Sequence, residues 1–216
     1  TGLGEIYQYV LHVQPGYEDR YDIMDLRTIQ DWIIKRQLAG IPGVIEVSSF
    51  GGLVKEYEVA VDPERMFALK LTLPEIIRAL ERNNENSGGS YIEQGTKALY
   101  LRTFGRLQTK EDIEDVLVAS KGDLPVYLRD IAQVQLGSPK RYGAMTMDGK
   151  GEVVGGITLM LKGSNSSETI ANVQERVAQT QAVLPEGLKI EAYLDRSELI
   201  GRAINTVKNN LIEGGL

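Results

Sequence analysis

One hydrophobic phrase occurs twice along the chain. In its first appearance, Ile6-Tyr7-Gln8-Tyr9-Val10-Leu11-His12-Val13 is dense in β-branched and aromatic residues and stops at Pro15-Gly16, which predicts a strand. Ile23, Leu26, Ile29, Ile33 and Leu38 then recur at helical spacing and predict a helix over about 25–39. Gly40-Ile41-Pro42-Gly43 ends it, and residues 44–50 predict a second strand closed by Gly51-Gly52. In the second appearance, residues 151–161 predict a strand, Asn165 and Glu168 a capping pair, and Ile170, Val173 and Val177 the apolar stripe of a helix. Leu184-Pro185-Glu186-Gly187-Leu188-Lys189-Ile190-Glu191 echoes Ile41-Pro42-Gly43-Val44-Ile45-Glu46. In both, an aliphatic–Pro pair and a Gly close the helix and a strand follows. Two strand–helix–strand units of this kind are the halves of a split βαβ, or ferredoxin-like, fold, with helices on one face of the sheet.

About 90 residues between the halves have their own pattern. Tyr57-Glu58-Val59-Ala60-Val61 predicts a strand running into a helix start at Asp62-Pro63-Glu64-Arg65. Thr72-Leu73-Pro74-Glu75 is a capping box before Ile76, Ile77 and Leu80. Gly88-Gly89 opens a hairpin over 90–103 with its tip near Gln94-Gly95-Thr96-Lys97, and Thr109-Lys110-Glu111-Asp112 caps a short helix. Pro125-Val126-Tyr127-Leu128 and Ile131-Ala132-Gln133-Val134-Gln135-Leu136 predict strands. The expected class is therefore α+β. A ferredoxin-like split βαβ subdomain is built from 1–52 and 141–195, and a second α+β subdomain, 53–140, is inserted between its halves. Residues 195–213 predict a capped helix whose broad apolar face (Leu199, Ile200, Ala203, Ile204, Val207, Leu211, Ile212) calls for a partner outside the chain.

Composition removes several function classes. The 216 residues include no Cys, so disulfide scaffolds, Cys-based zinc sites and thiol nucleophiles drop out. One His, His12, cannot supply a multi-His zinc site, and a Ser-His-Asp triad would have to use it. Lys and Arg number 24 against 30 Asp and Glu, a net charge of −6, which argues against a nucleic-acid partner. Apolar runs such as Gly155-Gly156-Ile157-Thr158-Leu159-Met160-Leu161 fall far short of the roughly 20 residues of a membrane helix. The chain begins at Thr1 without a leader pattern and reads as a piece of something larger.

Candidate chemistry is sparse. There is no phosphate-loop motif and no dinucleotide-binding fingerprint between a strand and a helix; the Gly pairs at 51–52, 88–89 and 155–156 read as turns or close packing. His12 reads as a half-exposed strand residue and Trp32 as a core or interface residue. Met145 and Met147, two apart on an expected strand, share a face, which fits packing better than soft-metal binding. An enzyme using Glu191 and Asp195 as paired acids lacks any accompanying nucleophile or oxyanion site. Glu5 and Glu46 remain, because a carboxylate within a core-forming strand is costly to bury unpaired. The plainer reading is that both face solvent or pair with Lys and Arg.

Eight segments in order carry a resemblance across essentially the whole chain. They are Thr1-Gly2-Leu3-Gly4-Glu5-Ile6-Tyr7-Gln8, Leu26-Arg27-Thr28-Ile29-Gln30-Asp31-Trp32, Ile41-Pro42-Gly43-Val44-Ile45-Glu46-Val47-Ser48-Ser49-Phe50-Gly51-Gly52 and Glu56-Tyr57-Glu58-Val59-Ala60-Val61-Asp62-Pro63. Then come Asn86-Ser87-Gly88-Gly89-Ser90-Tyr91-Ile92-Glu93, Val126-Tyr127-Leu128-Arg129-Asp130, Gly149-Lys150-Gly151-Glu152-Val153-Val154-Gly155-Gly156 and Leu184-Pro185-Glu186-Gly187. Together these resemble the heavy-metal efflux branch of the resistance-nodulation-division (RND) transporters, the CzcA/CusA type.

The resemblance implies part of the periplasmic loop of a Gram-negative inner-membrane pump, with no catalytic activity and no cofactor. Residues 1–52 and 141–195 would be a pore subdomain, 53–140 the docking subdomain, the 90–103 hairpin an arm toward a neighbouring protomer, and 196–216 a helix leading toward a membrane span. It implies a proton-driven homotrimer working with a periplasmic adaptor protein and an outer-membrane channel protein. It also implies an ion path lined by Asp and Glu. Glu5 and Glu46 are then the candidate metal ligands, with the others outside this segment. Oxygen ligands suit Zn, Co or Cd, whereas Cu(I) and Ag(I) favour thioether sulfur; copper and silver members of the family tend to carry an aromatic residue where this chain has Glu5. The alternatives are a stand-alone periplasmic metal- or peptide-binding module and, further off, Cu(I)/Ag(I) export.

Overall fold

The computed structural model describes residues 4–85, 91–94, 97–100, 105–149 and 151–214. In chain order, β1 (Glu5–Val13) leads to α1 (Ile23–Ile29), a π-helical turn (Gln30–Ile34), α2 (Lys35–Ala39) and β2 (Val44–Phe50). Next come β3 (Glu56–Val61), α3 (Pro63–Ala68), α4 (Leu73–Arg82), β4 (Tyr91–Gln94) and β5 (Lys97–Tyr100). These are followed by α5 (Lys110–Glu114), β6 (Leu117–Lys121), β7 (Leu124–Tyr127), α6 (Leu128–Ile131) and β8 (Ala132–Gly137). The chain closes with β9 (Val154–Met160), α7 (Ser166–Gln181), β10 (Leu188–Asp195) and α8 (Ser197–Gly214). Two compact units result, one from 1–55 with 139–216 and one from 56–138.

The first unit is the ferredoxin-like one. Its sheet runs β10-β1-β9-β2 with every neighbouring pair antiparallel, the order a split βαβ pair requires. One face carries Tyr7, Tyr9, Leu11, Val47 and Leu188 into a core completed by Leu26, Ile34 and Leu38 of the first helix and Ile170 and Val173 of α7. Asp22 caps α1 by accepting from the Met24 and Asp25 amides at 2.8 and 2.7 Å. Asn165 caps α7 through the Ser167 and Glu168 amides.

The first helix departs from the expected pattern. Leu26, Gln30, Ile34 and Leu38 are buried, a strict spacing of four, and Ile33 is only half-buried. An α-helix of 3.6 residues per turn would rotate the later members of that set away from the sheet. The π-turn at Gln30–Ile34 absorbs the extra residue and keeps the stripe on the core. Gln30, a polar residue that periodicity assigns to the surface, lies fully inside, and its amide donates to the Tyr9 hydroxyl at 2.9 Å and to Ser49 Oγ at 3.2 Å. Trp32 is turned outward, 61 % exposed, with the Arg36 guanidinium 4.1 Å from its ring centroid; it is not a core residue.

The second unit packs α4, α5 and α6 with the ribbons β3–β8 and β6–β7 around Leu71, Ile76, Ile113, Val126, Leu128, Ile131 and Val134. The Glu75 carboxylate accepts from both the amide and the hydroxyl of Thr72, and Thr109 and Asp112 cap each other across the first turn of α5. One expected strand end is a helix. Asp130 accepts from the Tyr127 amide at 2.8 Å and turns residues 128–131 into α6, burying Leu128 and Ile131. The β4–β5 hairpin pairs Tyr91 with Tyr100 and Gln94 with Lys97; the rest of the expected 90–103 arm, its tip included, lies outside the described residues.

Candidate metal-binding face

Residues paired directly across two strands share a face of the sheet. Tyr9 opposite Gly156 and Val47 opposite Thr158 therefore mark the side under the helices. Gln8 and Ser48, both opposite Ile157, mark the other side. Glu5 and Glu46 belong to this second, helix-free face, and both are registered with Leu159 of β9, one from each flank. A β-bulge adjoins each of them, between Glu5 and Tyr7 and between Val44 and Glu46. Bulges re-aim side chains relative to strict alternation. That is how a carboxylate near the start of a core strand is spared burial: Glu5 is half-buried and Glu46 exposed.

The two carboxylates are brought to one face and one level but not onto one ion. They stand two strand spacings apart, about 10 Å between backbones. Each is held by its own strand: Glu5 Oε2 accepts from Gln8 Nε2 at 2.8 Å and Glu46 Oε1 from Ser48 Oγ at 2.8 Å. Among the described residues no group of three or more His, Cys, Asp or Glu is close enough to hold a metal ion. Beside Glu5, burial raises the Tyr193 hydroxyl above its ordinary pKa, and the Glu5 charge adds to that. Both effects keep the phenol neutral.

A cleft of about 400 Å³ is lined by Phe50, Met145, Ile157 and Tyr193 together with Arg27 and Ser49. Met145 is not on a regular strand; among the described residues this segment forms an isolated bridge, Thr146 to Glu152. Its thioether lies against Gly155, where an added Cβ would come within 3.2 Å of the sulfur. Packing thus accounts for the side chain. His12 sits at the end of β1, partly exposed, with Nε2 3.4 Å from Glu191. Glu191 pairs across from Val10 and Asp195 from Tyr7, so these two acids lie on opposite faces. Asp195 also accepts from the Ser197 amide at 2.8 Å, beside the first turn of α8. They form no acid pair. Sequence reasoning missed the shared register of Glu5 and Glu46 on Leu159, for which the sequence carries no local signal.

Residues 1–216, the full length, match the AcrB/AcrD/AcrF family. The chain belongs to that family. Within it, the chain is 43 % identical over 214 residues to the cation efflux system protein CusA of Escherichia coli (strain K12), covering 99 % of this chain and 20 % of that protein. It is 40 % identical over 220 residues to the cobalt-zinc-cadmium resistance protein CzcA of Cupriavidus metallidurans, covering 100 % of this chain and 21 % of that one. A crystal structure of a heavy metal efflux pump superposes with a TM-score of 0.81 at 32 % identity, over 99 % of this chain and 21 % of the pump. The chain therefore spans about one fifth of the length of these family members. No helix among the described residues is long and apolar enough to cross a membrane.

Proposed function

We propose that the chain is a periplasmic portion of a proton-driven RND pump that exports divalent cations of the Zn, Co and Cd kind, and that Glu5 and Glu46 belong to its ion path. The observation that carries this reading is the placement of two carboxylates on the helix-free face, registered on Leu159 from both flanks and each held by one neighbour. Carboxylate oxygen suits divalent or borderline ions, whereas Cu(I) and Ag(I) favour the thioether sulfur of Met, and the Met145 thioether is packed against Gly155. The kinship to a cobalt-zinc-cadmium resistance protein supports the same ions. A site of two carboxylates is incomplete, so the other ligands come from the remainder of the pump. An incomplete site also releases its ion, as transport demands.

In this reading 1–52 and 141–195 form a pore subdomain, 53–140 is the docking subdomain that meets an outer-membrane channel protein, and 196–216 leads toward a membrane span. The exposed apolar side chains of α8 (Leu199, Ile204, Val207, Leu211 and Ile212) support that last assignment. A periplasmic adaptor protein and two further copies of the pump complete the assembly, and the chain performs no reaction of its own.

Isothermal titration of the 216-residue chain with Zn²⁺ tests the site. Weak binding is expected, weakened further by Glu5→Ala and by Glu46→Ala. Tight stoichiometric binding indifferent to both changes would overturn the shared-site reading and favour a stand-alone metal-binding module.

A further inference from the structure

The chain leaves the first unit after β2 and re-enters it before β9. Within the first unit both crossings meet at one carboxylate. Glu152, two residues before β9, accepts a 3.0 Å hydrogen bond from the Gly52 amide and is ion-paired with Arg141. Gly52 lies on the outgoing side, four residues before the second unit begins at Glu56; Arg141 lies on the returning side, two residues after Pro139. Gly52 is buried and the Glu152 side chain is 23 % exposed, so the amide–carboxylate half of the contact is sheltered, while the Arg141 side chain, 38 % exposed, faces water.

The backbone around this carboxylate has no slack. Gly51 and Gly52 both have φ of +72°, and a Cβ on Gly51 would stand 1.9 Å from the Val153 carbonyl oxygen. A Cβ on Gly52 would meet Arg27 Cβ at 2.8 Å and the Ile23 carbonyl at 2.9 Å. Arg27, tethered by Asp31 at 2.8 Å, donates to the Gly51 carbonyl at 2.7 Å. On the returning side, the Val153 amide donates to the Met145 carbonyl at 2.8 Å. One Gly-Gly turn is thus held from α1 by a cation and from the returning segment by an anion. Two adjacent glycines would otherwise be a natural hinge, because they reach positive φ without steric cost.

We infer that Glu152 is a positioning residue, a charged clasp that binds the outgoing and returning crossings to each other and, through Gly51 and Arg27, to α1. An ordinary exposed ion pair contributes little. Here the carboxylate oxygen that pairs with Arg141 also receives a buried main-chain amide, and a hydrogen bond to a charged acceptor is the stronger kind. With the clasp closed, displacement of one crossing moves the other and α1. With it open, the Gly pair absorbs that displacement.

Amide hydrogen exchange on the 216-residue chain, resolved by NMR, tests the clasp with Glu152→Ala and Arg141→Gln. In Glu152→Ala the Gly52 amide exchanges at least roughly tenfold faster, while the Tyr9 and Val10 amides of β1 keep their protection. In Arg141→Gln, which touches only the returning crossing, the Gly52 amide on the other crossing also accelerates. An unchanged Gly52 rate in Arg141→Gln would show that the crossings are not coupled and would overturn the inference. So would equal acceleration of Gly52 and the β1 amides in Glu152→Ala, which would make Glu152 a support of the whole fold rather than a clasp.

Discussion

Replacing Gln30 by Met and Tyr9 by Phe, singly and together, tests what holds the π-turn in the first helix. Both side chains are fully buried, and Gln30 Nε2 divides its donors between the Tyr9 hydroxyl at 2.9 Å and Ser49 Oγ at 3.2 Å. Gln30 Oε1 has no hydrogen-bond partner among the described residues. Met fills a similar volume but leaves the Tyr9 hydroxyl buried without its partner, at a cost of about 1–3 kcal/mol. Loss of the orphaned Oε1 offsets part of that cost, so a net destabilisation of about 1–2 kcal/mol is expected. Tyr9→Phe strands one Gln30 donor and should cost about the same. The double variant replaces the pair by apolar groups and should cost at least about 1 kcal/mol less than the two changes summed. Urea unfolding followed by Trp32, the only tryptophan, reports the first unit by itself. Costs that add to within about 0.5 kcal/mol would refute the coupling and with it this account of the π-turn. The cycle carries a pH signature as well. Burial lifts the folded-state pKa of the Tyr9 hydroxyl far above its ordinary 10.0, and the Gln30 hydrogen bond only partly opposes this. The associated stability is complete below pH 10 and is lost as pH rises beyond it, a loss that Tyr9→Phe abolishes.

Gly51→Ala should destabilise the first unit by more than about 2 kcal/mol, since it combines a φ of +72° with a Cβ 1.9 Å from a carbonyl oxygen; a urea midpoint equal to that of the unsubstituted chain would contradict the packing. In the second unit, the Gln108 and Thr109 amides donate to the Asp112 carboxylate and hold its pKa below the usual aspartate value. The support it lends α5 is therefore complete above the unfolded-state pKa, near 4, and fades as pH falls through the lower folded value. An NMR titration of its side-chain carbonyl should show a midpoint below that of an exposed aspartate, and Thr109→Val, which keeps both amide donors but removes the hydroxyl, should bring it partway back.

Much of the architecture is written in local pattern. The strand–helix–strand phrase, the Asn165 cap and the Thr72–Glu75 and Thr109–Asp112 boxes depend on neighbours within a few residues, and each forms where the sequence places it. The misreadings have one cause. Residues 128–131 continue an alternation that suits a strand, yet the Asp130 carboxylate and two buried aliphatic side chains make them a helical turn. Ile33 fits an ideal helical stripe, yet across the π-turn at Gln30–Ile34 the core takes Ile34 together with Gln30.

The candidate site divides in the same way. Composition alone left carboxylates as the only abundant metal ligands, because the chain has no Cys and one His. Which carboxylates share a face was decided by strand register and by two bulges, which involve partners more than 100 residues away in sequence. Local sequence determined the elements and the chemistry available, because capping, periodicity and turn residues act over a few positions. The pairing of β9 with both β1 and β2 decided where Glu5 and Glu46 stand and why Glu152 reaches Gly52, because those positions follow from long-range hydrogen bonding and the close approach of glycine backbones.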